Sequence, residues 1–394
     1  MSVIQVCGLT PLKGEISIQG SKNAVLPMMA AALLHRGVTV LTNVPVIRDV
    51  TCMLDILESL GCRCCRKGDC LVMDARGVTG TSIPEEYVTA MRSSIVVLSA
   101  LLGRMGEGSS CYPGGCLIGA RPIDLHLMAL RALGADIRER DGTIEASCRR
   151  KGGLKGAAAR EPEISQLCRF LNNMGAVICG MGTDHLMVQG VAGLHDSSFR
   201  VEGDRIVAGT YGAAAVAAGG EVLLRGICPS DLKVPLEEFQ KAGAAVEADE
   251  KNRQIRICMG KRPLPLLIKT EPYPGFPTDL QSPFMAFLAT AQGTSYIEEQ
   301  VFEGRFATAK ILEQMGAVIR TEDQRAVIEG HYPLKGAAVN ACDLRGGAAL
   351  MVAALAAEGD TFIGECHHIE RGYEDICRDM AALGAHIRWV GKDS

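Results

Sequence analysis

Residues 279–319 read DLQSPFMAFLATAQGTSYIEEQVFEGRFATAKILEQMGAVI, and this stretch decides the fold. From Asp279 to Ala291, small apolar residues fall on every side of a helix, the mark of a helix enclosed by other elements. An amphipathic stretch follows and closes on Met315-Gly316-Ala317. The glycine is placed to stop that helix in a left-handed conformation. Ala317-Val318-Ile319 then begins a strand. An enclosed helix, a surface helix and the strands between them make one β/α unit.

Working outward, the same small-Gly-small signature recurs at Leu60-Gly61-Cys62, Leu133-Gly134-Ala135, Met174-Gly175-Ala176, Ala242-Gly243-Ala244 and Leu383-Gly384-Ala385. Each ends a segment with helical apolar spacing, such as Met53, Leu54, Ile56, Leu57 and Leu60. Enclosed helices precede five of the six signatures, at Ala24 to Leu34, Met91 to Leu102, Ile206 to Ala218, Asp279 to Ala291 and Asp343 to Ala357. Repeated alternation of strand and helix predicts an α/β architecture of six units. Successive signature glycines lie 73, 41, 68, 73 and 68 residues apart. The third unit is therefore short by roughly 29 residues, and it is the unit with no enclosed helix.

A chain of 394 residues with 47% hydrophobic and 22% charged residues is long enough for two cores and reads as a soluble globular protein. A net charge of -4 offers no basic field to nucleic acid or an anionic membrane. Any anionic ligand must be held by a local cluster of Arg and Lys. Met1 to Glu15 lacks the basic start and apolar run of a secretory signal. The longest apolar runs are about half the length that spans a bilayer. These features predict a cytoplasmic protein. Cys62, Cys64, Cys65 and Cys70 match no common zinc spacing and have no His among them, so no metal site is expected there.

Gly20-Ser21-Lys22-Asn23-Ala24-Val25-Leu26-Pro27 and the loop Pro113-Gly114-Gly115-Cys116-Leu117-Ile118-Gly119-Ala120-Arg121-Pro122-Ile123-Asp124-Leu125-His126 carry a resemblance. Phe276-Pro277-Thr278-Asp279, Asp343-Leu344-Arg345 and His368-Ile369-Glu370-Arg371-Gly372-Tyr373-Glu374 continue it in order. In these motifs the chain resembles the enolpyruvyl-transferase family, and most closely the members that act on UDP-N-acetylglucosamine. The resemblance implies a two-lobed inside-out α/β barrel of six β/α repeats, the third incomplete, with the active site between the lobes. One lobe is expected to comprise residues 1–21 with 204–394, and the other residues 22–203.

The implied reaction joins phosphoenolpyruvate and UDP-N-acetylglucosamine and releases phosphate, with no metal or organic cofactor. It opens the first committed step of peptidoglycan synthesis. It needs a proton donor, a proton acceptor and a cationic hold on two anionic substrates. By resemblance Cys116 is the donor, on a glycine-flanked loop with Arg121 close enough to favour its thiolate. Asp279 is the matching acceptor, although a carboxylate at a helix start also suits an N-cap. Lys22 joins them as a third catalytic candidate. Lys22, Asn23, Arg121, Arg345, Arg371 and Arg305 are the implied phosphoenolpyruvate set. Lys22, Arg92 and Arg345 sit at or just before the starts of enclosed helices, where free backbone N–H groups favour anions. Asn23, Arg92, Arg121, Pro122, Ile123, Asp124, Leu125, Asp279 and Val301 are the implied nucleotide-sugar set. Pro122 reads as the first residue of a helix.

Two departures stand against this pattern. Gly304 precedes Arg305 where the family has Asn. The family's Ser-Val-Gly-Ala-Thr segment, which opens the third enclosed helix and contacts UDP, has no counterpart between Leu154 and Ile164. Losing such a helix forfeits burial of order 10 kcal/mol. The second departure keeps an alternative open: a catalytically weakened relative that binds UDP-sugars or regulates. The shikimate-pathway branch of the family shares the repeats, but the Pro-Gly-Gly-Cys loop and Ser-Lys-Asn opening point away from it. Oligomeric state is not readable from the sequence.

Overall fold

Enclosed helices form where the small apolar runs lie. In the computed structural model, which describes residues 3–114, 123–148, 154–157 and 159–391, they are Lys22–Ala32, Ile95–Met105, Arg205–Ala218, Gln281–Leu288 and Leu344–Leu355. The described residues divide into two compact units: 3–19 with 203–391, and the remainder from 20 to 202.

In the first unit, helices Arg205–Ala218, Gln281–Leu288 and Leu344–Leu355 pack against one another. Nearly every residue of the three is buried. Phe284 lies at the centre, 4.8 Å from the Phe239 ring, 4.7 Å from Phe276 and 4.9 Å from Phe287 by ring centroids. Three four-stranded sheets surround the helices, all of one design. An edge strand runs parallel to its neighbour, and two antiparallel strands complete the sheet. Leu12–Ser17 runs beside Gly220–Arg225, followed by Gln254–Met259 and Ala245–Asp249. Leu267–Lys269 runs beside Thr294–Glu298, followed by Arg325–Glu329 and Val318–Glu322. Ala338–Asn340 runs beside Asp360–Gly364, followed by Val3–Cys7 and His386–Val390.

The second unit varies the design. Ser197–Arg200 runs parallel to Val38–Thr42, followed by Cys70–Asp74 and Arg63–Lys67. In the next sheet, Glu107–Cys111, Thr143–Cys148 and Ala135–Arg140, the parallel edge shrinks to the single bridge Ser82↔Ser109. The last sheet has Leu154–Ala157, His185–Gln189 and Val177–Cys179, with no parallel edge among the described residues. Helices Lys22–Ala32 and Ile95–Met105 pack together, and the amphipathic helix Pro162–Asn173 packs on the first of them.

All six signature glycines have the left-handed backbone expected of them, with φ from +86° at Gly316 to +100° at Gly243. Among the described residues no helix is long and apolar enough to cross a membrane.

Candidate active site

The Asp279 carboxylate is shared between two guanidiniums. Arg305 Nη2 donates to Oδ1 at 2.7 Å and Arg345 Nη2 donates to Oδ2 at 2.9 Å. The arginine side chains are 3% and 7% exposed and Asp279 is 27% exposed, so the carboxylate is the member of the trio that reaches solvent. The expected N-cap role of Asp279 is not what forms. Asp279 lies in the 3-10 turn Thr278–Leu280, and the helix begins at Gln281 with Leu280 at its cap. Its oxygens are taken by arginines rather than by helix N–H groups.

Asp343, by contrast, is a cap. Its Oδ1 accepts from the backbone N–H of Arg345 and of Gly346, both at 2.8 Å, and so fixes the turn that carries Arg345. Burial acts hardest on Arg345 and opposes its charge. Asp279, with Tyr373 and Asp204, outweighs burial and holds the guanidinium well above the ordinary arginine range. Beside it, burial and Asp343 push the Cys342 thiol up to about 11, which keeps it protonated and a poor nucleophile. Arg371 is half-buried and closes the turn Cys366–Arg371, which packs on helix Leu344–Leu355. Gln19 steadies the far side of that turn, donating to the Gly372 carbonyl at 3.0 Å and accepting from the Glu374 N–H at 2.9 Å. Val301 is 39% exposed, and its N–H is held by Glu299 Oε1 at 2.9 Å.

The second unit holds its own set. Lys22 opens helix Lys22–Ala32, and its Nζ lies 3.1 Å from Asp49 Oδ2. Asp49 is 5% exposed, in the first turn of helix Arg48–Ser59. Asn23 is exposed one residue on. Arg92 is half-buried in the 3-10 turn Arg92–Ser94 that leads into Ile95–Met105. At the starts of these two helices the buried Ser21 and Ser94 hydroxyls have no hydrogen-bond partner among the described residues. Ile123 is buried, while Asp124 and Leu125 are exposed at the start of helix Asp124–Ala132. That helix starts two residues after the expected first position, Pro122. Pro122, Cys116 and Arg121 lie outside the described residues. A cavity of about 240 Å³ is lined by Tyr112, Pro113, Ile123, Asp124, Leu127, Arg131 and Glu139. Larger cavities of about 370 and 730 Å³ are lined by none of the candidate residues.

Asp279, Arg305 and Arg345 are thus brought into direct contact within one unit. Asp49, Ser21, Ser94 and Glu299 escaped sequence reasoning. Nothing local marks Asp49 and Glu299, because their importance comes from contacts made across the fold.

An α/β chain with cations at enclosed-helix starts fits the family described as EPSP synthase (3-phosphoshikimate 1-carboxyvinyltransferase), which matches residues 6–158 and 151–380. A UDP-N-acetylglucosamine 1-carboxyvinyltransferase of Trichlorobacter lovleyi is 41% identical over 422 aligned positions, covering 100% of both chains. The chain belongs to the enolpyruvyl-transferase family. A second family member, the UDP-N-acetylglucosamine 1-carboxyvinyltransferase of Cellvibrio japonicus, is 41% identical over 99% of this chain and 100% of its own. Among solved enolpyruvyl-transferase structures, NikO from Streptomyces tendae superposes with a TM-score of 0.87 at 22% identity, covering 98% of each chain. An EPSP synthase from Acinetobacter baumannii gives 0.73 at 15% identity, covering 99% of this chain and 100% of its own. At those identities the two structures speak for the fold.

Proposed function

We propose that this chain transfers the enolpyruvyl group of phosphoenolpyruvate to the 3'-hydroxyl of UDP-N-acetylglucosamine, the first committed step of peptidoglycan synthesis. The observation that carries the reading is 41% identity across the full length of relatives bearing that name. In the first step Cys116 gives a proton to C3 of phosphoenolpyruvate, and positive character develops at C2. The sugar oxygen attacks C2, and its proton passes to Asp279. In the second step C3 returns a proton to the Cys116 thiolate, the bond from C2 to the phosphate oxygen breaks, and phosphate leaves. Asp279 releases the hydroxyl proton to phosphate or solvent. Lys22, Asn23, Arg121, Arg305, Arg345 and Arg371 hold phosphoenolpyruvate. Asn23, Arg92, Arg121, Pro122, Ile123, Asp124, Leu125, Asp279 and Val301 hold the nucleotide sugar. Arg305 and Arg345 aim Asp279, each by a hydrogen bond to one of its oxygens. Both substrates are anionic cytoplasmic metabolites, so the cytoplasm is the proposed compartment.

We further read the fold as an inside-out barrel of six β/α repeats in two lobes, residues 1–21 with 204–394 and residues 22–203, the third repeat short. The repeated sheet design and the six left-handed glycines support this. So does the alignment with the Trichlorobacter lovleyi relative, whose 422 positions exceed the 394 residues here by 28. The alternative of a binding protein without turnover is not favoured, since the full-length relatives carry the transferase name.

A coupled phosphate-release assay on the purified chain tests the reading, with Cys116→Ala as control. Release that requires both substrates, and inactivation by the thiol-alkylating epoxide fosfomycin, are the expected results. A folded protein that shows neither would sink the assignment.

A further inference from the structure

Glu299 is 1% exposed, just beyond the end of strand Thr294–Glu298, and its carboxylate takes four hydrogen bonds. Oε1 accepts from Thr270 Oγ1 at 2.9 Å, from the Val301 N–H at 2.9 Å and from the Phe302 N–H at 3.1 Å. Oε2 accepts from Thr278 Oγ1 at 2.9 Å. Beyond Thr270, which follows strand Leu267–Lys269, one side chain therefore ties together two further segments. The first is the turn in which Thr278 precedes Asp279. The second is the loop from Val301 to Arg305, whose guanidinium lies over the Phe302 ring at 5.4 Å and reaches Asp279 at 2.7 Å.

We propose that Glu299 is a positioning residue for the transfer reaction, setting Asp279 and Arg305 against each other and presenting Val301. A loop needing only to be packed would be served by an apolar side chain of similar volume, because burying a charge is costly. A carboxylate with acceptor capacity on both oxygens can satisfy hydroxyl and amide donors from two segments at once. Gln at this place would turn an NH₂ toward one of them.

The proposal rests on the role assigned above to Asp279, so the test has two arms. In steady-state kinetics Glu299→Gln should lower kcat by about 10²-fold, the scale expected when a reacting group is displaced by about 1 Å. KM for UDP-N-acetylglucosamine should rise through Val301, and KM for phosphoenolpyruvate should rise through Arg305. Thr278→Val should reproduce the fall in kcat alone, and Thr278→Ser should restore it. Should Glu299→Gln not fold, the Thr278 pair carries this arm. In a crystal structure of either folded variant, the Asp279–Arg305 contact should open beyond hydrogen-bond reach. An intact contact, or an unchanged kcat, overturns the proposal. If the parent itself shows no turnover, the crystallographic arm alone decides, and the loss falls on the reaction assignment.

Discussion

Arg345 closes on Asp279 Oδ2 at 2.9 Å, joining the starts of two enclosed helices across 66 residues of sequence. The contact fixes a carboxylate between fixed cations, which costs little reorganisation when a proton arrives. It also means that Asp279 serves stability as well as its proposed chemistry.

Asp279→Ala should therefore do two things. It removes the proposed proton acceptor, for which a fall in kcat of roughly 10²–10⁴-fold is expected. It also leaves two nearly buried guanidiniums without their shared counter-charge, a loss of about 3 kcal/mol. Phosphate release and urea unfolding measure the two effects separately. A variant as stable as the parent would show that the arginines find other partners.

Asp343→Ala removes the cap that fixes the Arg345 turn. A cap of this kind contributes about 1 kcal/mol. KM for phosphoenolpyruvate should rise as Arg345 loosens. Asp343→Asn, which keeps an acceptor oxygen, should recover most of both effects. Equal behaviour of the Ala and Asn variants would contradict the capping argument.

Enclosed helices and terminating glycines are legible in the sequence because each is a local decision, whereas exact helix starts are not. Gly61, Gly134, Gly175, Gly243, Gly316 and Gly384 all adopt positive φ, and apolar spacing marks the helices they follow. Asp279, Arg305 and Arg345 were named through motifs, and the structure joins them. Lys22 was legible, but its partner Asp49, 27 residues away, was not. Pairings of that kind depend on how repeats pack, which no window of sequence encodes. Asp279 shows the same limit from the other side: its arginine partners lie 26 and 66 residues away.

The last sheet of the second unit should open more readily than its counterparts. Its central strand, His185–Gln189, has no fully buried residue, whereas the central strand Gln254–Met259 buries Ile255, Ile257 and Met259 at 0 to 1% exposure. Protection in hydrogen exchange follows such burial. Amides of residues 185–189 should exchange by local opening, and those of 254–259 only near global unfolding. Matching protection in the two strands would refute the argument.

A pH effect follows from His126. Its Nε2 lies 3.0 Å from Ser99 Oγ, and burial pulls its pKa below the usual 6.5. The folded state thus resists a proton that the unfolded chain accepts. The stability linked to His126 is complete above about pH 6.5 and is lost as pH falls through the window beneath it. Between about pH 7.5 and pH 5.5 the thermal midpoint of the parent should drop further than that of His126→Gln. Parallel slopes would assign the acid sensitivity to other groups.

Strand Val3–Cys7 lies between Asp360–Gly364 and His386–Val390, with Ile4 opposite both Ile363 and Trp389. Val3–Cys7 therefore finds its two strand neighbours only after the chain as far as residue 390 has been made. Until then its apolar face has no native cover and is open to capture by chaperones or by other nascent chains. Deleting Val3–Cys7 or His386–Val390 should lower the yield of folded protein more than an equal cut in a surface loop.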